Sequence, residues 1–132
     1  MEENAAGTVL AWQNARDEVI KPTVDNYAGN IVKFIGDSFF VEFSTVQNAV
    51  NCAVNLQKNL ALASPLKFRM GINIGDIVDD GVDIYGEGIN IAARLEGRAE
   101  KGCICISSSV YEQVKNSIRY RYDDLGEQEV TL

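Results

Sequence analysis

Apolar residues along the chain recur first at helical spacing. Val9, Leu10, Ala15, Val19, Ile20, Val24 and Tyr27 predict a helix over 7–28. Thr8 is its candidate N-cap, Gly29-Asn30 its stop, and Pro22 is expected to kink it or to sit in an irregular turn of it. The period then shortens. Residues 31–35 and 38–43, rich in Ile, Val and Phe, read as two strands around Gly36-Asp37, a connection with room only for a hairpin. Helical spacing returns over 44–64, where Val46, Ala49, Val50, Ala53, Val54 and Leu60 share a face and Ser44 or Thr45 can cap.

Pro65 separates this helix from a strand over 66–78, where Phe68, Met70 and Ile72 alternate with Arg69, Gly71 and Asn73. Residues 75–88 are turn-rich and hairpin-like. A helix is expected over 89–102, a short strand over 103–107, and a helix over 107–118 with Ser109 and Glu112 as a capping box. A last strand covers 119–130. Helices packed on a mainly antiparallel sheet make this an α+β chain. A ferredoxin-like core starts with a strand, whereas this order starts with a helix, so the core is expected without its first strand. The 132 residues carry no repeat or linker and fit one domain over 1–132.

Composition narrows the chemistry. The net charge of −7 argues against general nucleic-acid binding, which needs a basic face. With no histidine in the chain, any reaction has to use carboxylates, lysine, arginine, backbone groups or a metal. Cys52, Cys103 and Cys105 have no zinc-like spacing and read as small core residues in a reducing compartment. No stretch approaches the ~20 apolar residues of a membrane span, and no signal peptide is visible, so the cytoplasm is the default location.

Two clusters carry candidate chemistry. Lys33 and Asp37 stand four apart in an otherwise apolar hairpin. Asp37 is either a turn residue accepting backbone hydrogen bonds or a ligand for a hard cation that takes one or two carboxylates plus phosphate oxygens. Lys33 is either a lysine whose stem covers apolar surface or a donor to a bound base. In the second cluster, "VDIYGEGINIAARLEG" over 82–97, Asn90 and Arg94 share a helical face. Arg94 either pairs with Glu96 or Glu100 or clamps a phosphate, and Asn90 either belongs to the first helical turn or bonds a sugar or phosphate. Gly86 and Gly88, placed before the helix, would allow a ligand close to its N-terminus. No Gly-Lys-Ser/Thr follows, so this is not a P-loop.

Together, "GNIVKFIGDSFFVEF", "RMGINIGDI", "DIYGEGINIAARLE", "GCICISSSVYEQV" and "DDLGEQEV" resemble the catalytic domain of class III nucleotidyl cyclases, the adenylate and guanylate cyclases. The resemblance implies conversion of ATP to 3′,5′-cyclic AMP and pyrophosphate. It matches Asp37 to one of two aspartates that hold a Mg²⁺ or Mn²⁺ pair. It matches Lys33 and Asp83 to the adenine-recognising pair, Asn90 to the ribose-orienting residue and Arg94 to the phosphate-stabilising one. It further implies a head-to-tail homodimer, in which one protomer supplies the metal and adenine residues and the other the asparagine and arginine.

Two family positions have no counterpart within residues 1–132. The first metal aspartate lies on the strand that precedes the first helix. A triphosphate lysine falls about where Thr131 stands. No matched position supports Asp76, Asp79 or Asp80 as the substitute ligand. The alternative expectation is therefore a degenerate cyclase-like domain that binds nucleotide or a partner without turnover.

Overall fold

A computed structural model describes residues 5–35, 38–64, 66–75, 78–79, 84–85, 87–116, 123–126 and 129–131. The chain divides into two compact units, residues 1–68 and 69–132.

In the first unit the expected long helix is three segments. They are α1 (Ala5–Ala15), a π-helical turn (Arg16–Ile20) and α2 (Lys21–Asn26). Thr8 therefore lies inside α1 and does not cap it. Pro22 has no N–H for the Glu18 carbonyl, and its ring crowds that carbonyl in a regular α-helix. The wider turn accommodates this, with the Lys21 N–H donating to the Arg16 carbonyl five residues back. The wider turn also shifts the helical phase. Ala15, Ile20, Thr23 and Val24 are buried, whereas Val9 and Leu10, expected on the apolar face, are more than half exposed.

The stop comes where the sequence places it, through different residues. The Gly29 N–H donates to the Val24 carbonyl and the Ala28 N–H to the Asp25 carbonyl, a Schellman ending. Ala28 takes the left-handed conformation at φ 57°, a place that usually favours glycine. Gly29 is needed for space instead, because a Cβ there would meet the Phe43 ring at 2.6 Å and Val24 at 2.8 Å.

Strands β1 (Asn30–Ile35) and β2 (Ser38–Glu42) pair antiparallel. Helix α3 (Val46–Ala63) follows, with the Thr45 hydroxyl as its N-cap, accepting from the Asn48 N–H. Its buried face is Val50, Cys52, Ala53, Val54, Leu56 and Leu60. Polar contacts join α3 to α2 and to its C-cap: Asn55 Nδ2 donates to the hydroxyl of the C-cap Tyr27 at 2.7 Å, and Asn59 Nδ2 reaches the buried Thr23 hydroxyl at 3.5 Å.

The second unit is built on a four-stranded sheet in the order β3 (Met70–Ile72), β6 (Ile104–Ser107), β8 (Glu129–Thr131), β7 (Asp123–Gly126). Pairing of β3 with β6 is parallel; β6–β8 and β7–β8 are antiparallel. A small hairpin joins β4 (Val78–Asp79) to β5 (Ile84–Tyr85) within the turn-rich stretch. Helices α4 (Glu87–Arg98) and α5 (Ser108–Val114) complete the unit. All four residues of β6 are buried at the centre of the sheet.

Three expectations change. Among its described residues the strand expected over 66–78 is split: 70–72 pair in the four-stranded sheet, and Val78 belongs to the separate β4–β5 pair. Before Met70, the Leu66 N–H donates to the Ser64 hydroxyl, and the Phe68 carbonyl accepts from Gln57 Nε2. The alternation of burial persists there without a ladder. The last strand over 119–130 is instead the hairpin β7–β8. The cap of α5 is Ser107, whose hydroxyl accepts from the Val110 N–H. Ser109 and Glu112 form no capping box, and Glu112 pairs with Lys115 at 2.8 Å.

Candidate functional site

In the first unit the hairpin presents its side chains on two faces. Phe34 and Phe39 are direct cross-strand partners, as are Lys33 and Phe40 in the next pair. Successive pairs point to opposite faces of the ladder. Lys33 is half-buried on the second face, with Nζ 5.9 Å from the centre of the Phe40 ring, at the outer limit of a cation–π contact. The register slips between Ile31 and Lys33, and such a bulge re-aims the side chains that follow it. Ile35 pairs with Ser38, so Gly36-Asp37 joins the strands in two residues. Asp37 itself lies outside the described residues.

In the second unit Asn90 and Arg94 are both exposed on α4, one turn apart. Neither side chain makes an ion pair or hydrogen bond with another described residue. Leu95 and Ala99 pack with Cys105 of β6, and Ile91 lies against that cluster. This apolar contact fixes the rotation of α4 and leaves Asn90 and Arg94 on an open face. The alternative of an Arg94 pair with Glu96 or Glu100 is not realised among the described residues.

The placement of α4 rests on close backbone approach. Gly71 of β3 runs beneath it, and a Cβ there would overlap the Ala92 carbonyl and the Glu96 amide. Asn73 Nδ2 donates to the Gly88 carbonyl at 3.3 Å. A Cβ on Gly75 would stand 2.9 Å from Gly88 Cα. Gly88 is the second residue of α4, not a residue ahead of the helix. Gly86, Asp76, Asp80 and Asp83 lie outside the described residues, and for Asp79 only its place in β4 is described.

Sequence reasoning missed Gly71 and Asn73, which alternation had assigned to a polar face. That face is covered by α4. A glycine within a strand often marks close approach of another backbone, and that was the signal available. Trp12 was missed as well. Its ring lies 6.0–6.3 Å from those of Phe34, Phe39 and Phe68.

The thiols serve as core. No disulfide joins Cys52, Cys103 and Cys105, and Cys52 and Cys105 are buried. Burial pushes the Cys52 thiol up to about 11, well above its ordinary value. Among the described residues no group of three or more His, Cys, Asp or Glu side chains could hold a metal.

Comparison with known proteins bears on both units. The chain is 37% identical over 98% of its length to "Putative adenylate cyclase 3" of Rhizobium meliloti, of which it covers 23%. It is 31% identical over 70% of its length to an adenylate cyclase of Glutamicibacter nicotianae, again covering 23% of that protein. The chain thus spans about a quarter of the length of these relatives. Among solved structures, an adenylate/guanylate cyclase/hydrolase from Silicibacter pomeroyi superposes with a TM-score of 0.85 at 32% identity, over 99% of this chain and 85% of that one. The adenylyl cyclase CyaB from P. aeruginosa shares the fold, with a TM-score of 0.77 at 24% identity over 96% of this chain and 82% of that one. The family model for the adenylate and guanylate cyclase catalytic domain matches residues 15–131. The chain therefore belongs to the adenylate and guanylate cyclase catalytic-domain family.

Proposed function

We propose that this chain is the catalytic domain of an adenylate cyclase, which closes ATP to 3′,5′-cyclic AMP and releases pyrophosphate. The observation that carries the reading is the pairing of Asn90 and Arg94 on the open face of α4. Its apolar face is locked by Leu95 and Ala99, and its backbone is seated on Gly71. The relatives named adenylate cyclase support ATP as the substrate.

In this reading the ribose 3′-hydroxyl attacks the α-phosphorus in line. A new O–P bond forms, the bond from the α-phosphorus to the bridging oxygen breaks, and the hydroxyl proton leaves to solvent. Asn90 hydrogen-bonds the ribose and holds the hydroxyl in line. Arg94 donates to the phosphoryl oxygens, where charge grows in the transition state. Lys33 donates to the adenine ring, and Asp83 accepts from its exocyclic amine, a donor–acceptor pair that guanine does not complement.

Asp37 is the carboxylate offered to a Mg²⁺ or Mn²⁺ pair. A carboxylate together with substrate phosphate oxygens suits such hard cations, and the described residues add no cluster to it. When bound, two divalent ions supply a lowered 3′-hydroxyl pKa and neutralise charge on the entering and leaving oxygens.

Lys33 and the pair Asn90–Arg94 lie in different units of one chain. A head-to-tail homodimer with shared sites is the arrangement we propose, and its two-fold symmetry would give two equivalent sites. We place the protein in the cytoplasm. Three cysteines without a disulfide support this. No described helix is long and apolar enough to cross a membrane.

The test is metal-dependent formation of cyclic AMP from ATP by the protein, with Asp37→Ala and Arg94→Ala as controls. Loss in both variants supports the reading. Nucleotide that raises the thermal transition without any turnover would replace it with the non-catalytic, nucleotide-binding alternative.

A further inference from the structure

Phe39 and Phe40 are neighbours on β2 and so point to opposite faces of the hairpin. Phe39 joins an aromatic cluster on one face, with its ring centre 6.0 Å from that of Phe34 and 6.3 Å from that of Trp12. Phe40 has the other face and pairs across the strands with Lys33. The Lys33 ammonium lies over the Phe40 ring, 5.9 Å from its centre, and both residues are half-buried.

The ladder also gives the carboxylate on this face a partner of its own. Glu42 lies two residues beyond Phe40, on the same face. The register slips between Ile31 and Lys33, so Asn30 rather than Ile31 stands across from Glu42. Asn30 Nδ2 donates to Glu42 Oε1 at 2.8 Å. An apolar Ile31 in that place would offer the carboxylate nothing.

A ring holds a cation through its quadrupole. Unlike a carboxylate, it neither neutralises the charge nor takes up the three N–H donors of the ammonium. We propose that Phe40 is a positioning residue for Lys33 and thereby a determinant of base specificity: its ring fixes the ammonium on the hairpin face and leaves donors for adenine. Phe40 acts through Lys33 and touches no reacting atom. The proposal rests on the reading of Lys33 as the base-reading residue given above. A lysine free to swing on its four-carbon stem can also donate to the O6 or N7 acceptors of guanine. A lysine held in one place discriminates, and less ordering is required when the base binds.

The experiment measures by calorimetry, in Mg²⁺, the binding of α,β-methylene-ATP and α,β-methylene-GTP to the full chain. The proteins are wild type, Phe40→Leu, Phe40→Tyr, Lys33→Met and the double variant Phe40→Leu/Lys33→Met. Circular dichroism checks each fold. Phe40→Leu should lower the preference for the ATP analogue about threefold, the size of one partly exposed cation–π contact. Phe40→Tyr should keep it. Lys33→Met should lower the preference further, and adding Phe40→Leu to it should change nothing more. Lys21 also lies over a ring, that of Phe34 at 6.0 Å, so Lys21→Met is the control that leaves the preference unchanged.

A folded Phe40→Leu with wild-type preference overturns the proposal. So does an equal loss with and without Lys33, which would mean that the ring acts independently of the lysine. If Phe40→Leu does not fold, fluorinating the Phe40 ring nearly keeps its shape and weakens its negative face. The preference should then fall with each added fluorine, and an unchanged preference overturns the proposal. The underlying reading fails separately: if Lys33→Met keeps the wild-type preference, Lys33 does not read the base. A wild type that binds neither analogue removes that reading and the proposal together.

Discussion

Gly71 and Ala92 are in backbone contact: no Cβ fits on Gly71 without overlapping the Ala92 carbonyl of α4. At Gly71 strand β3 thus meets the helix bearing Asn90 and Arg94 backbone to backbone, while Leu95 and Ala99 pack on β6 beside it. Gly71→Ala should push α4 outward and cost about 1–3 kcal/mol, the usual range for overpacking. Chemical denaturation measures the cost. Cyclase activity should fall further than stability alone predicts, because the open face of α4 moves with it. A variant with wild-type stability would show that α4 is not seated as described.

Arg94 is exposed and makes no ion pair with another described residue. Its truncation should therefore change stability by no more than about 0.5 kcal/mol. Loss of a phosphate donor should lower kcat by about 10²–10³. Mixing inactive Arg94→Ala with inactive Asp37→Ala tests the shared site. Random exchange makes about half of the dimers mixed, each with one intact site of two, so about a quarter of wild-type activity should return. No recovery after confirmed subunit exchange would place both residues in sites built within one protomer.

Lys33 sits on the hairpin face opposite the aromatic cluster, beside Phe40. Lys33→Glu should reverse the charge offered to adenine while leaving the Phe34–Phe39 pair in place. The ratio of kcat/KM for ATP to that for GTP should fall by at least about tenfold, the worth of one mispaired polar contact. Equal losses for both nucleotides would mean that Lys33 does not read the base.

The Cys52 thiol is pushed up to about 11 by burial, from an ordinary value of 9.0. Its folded state holds the proton more tightly than its unfolded state. This contribution is therefore constant below pH 9 and is lost as pH rises from 9 toward 11. Denaturation midpoints across that window should fall in the wild type and fall less in Cys52→Ala. Thiol labelling at neutral pH should modify the half-buried Cys103 first and reach Cys52 and Cys105 only on unfolding.

The expected and observed elements agree best where one local signal decides the conformation. The hairpin over 31–43 and the helix after Thr45 appear within a residue or two of expectation, because β-branched runs and a capping hydroxyl act over a few residues. Around Pro22 local reasoning located the irregularity and left a kink and an irregular turn both open. A kink and a π-helical turn both relieve the same carbonyl, and only packing of Ile20 and Val24 into the core selects the second. Val9 and Leu10 were misread for the same reason, since the wider turn rotates α1 relative to α2.

By itself the sequence determined the family and the α+β class and named candidate residues for the chemistry, because its motifs are residue types at short, fixed spacings. Asn90 and Arg94 share a face in any α-helix, and Lys33 and Phe40 follow from a two-residue hairpin. Only the tertiary structure decided which faces are covered. Gly71 looked like a polar-face position until α4 was laid across it, and Trp12 was one more apolar residue until Phe34, Phe39 and Phe68 surrounded it. The reason is physical: spacing sets where a side chain points from its own element, whereas burial depends on a partner far along the chain, whose approach no local pattern encodes.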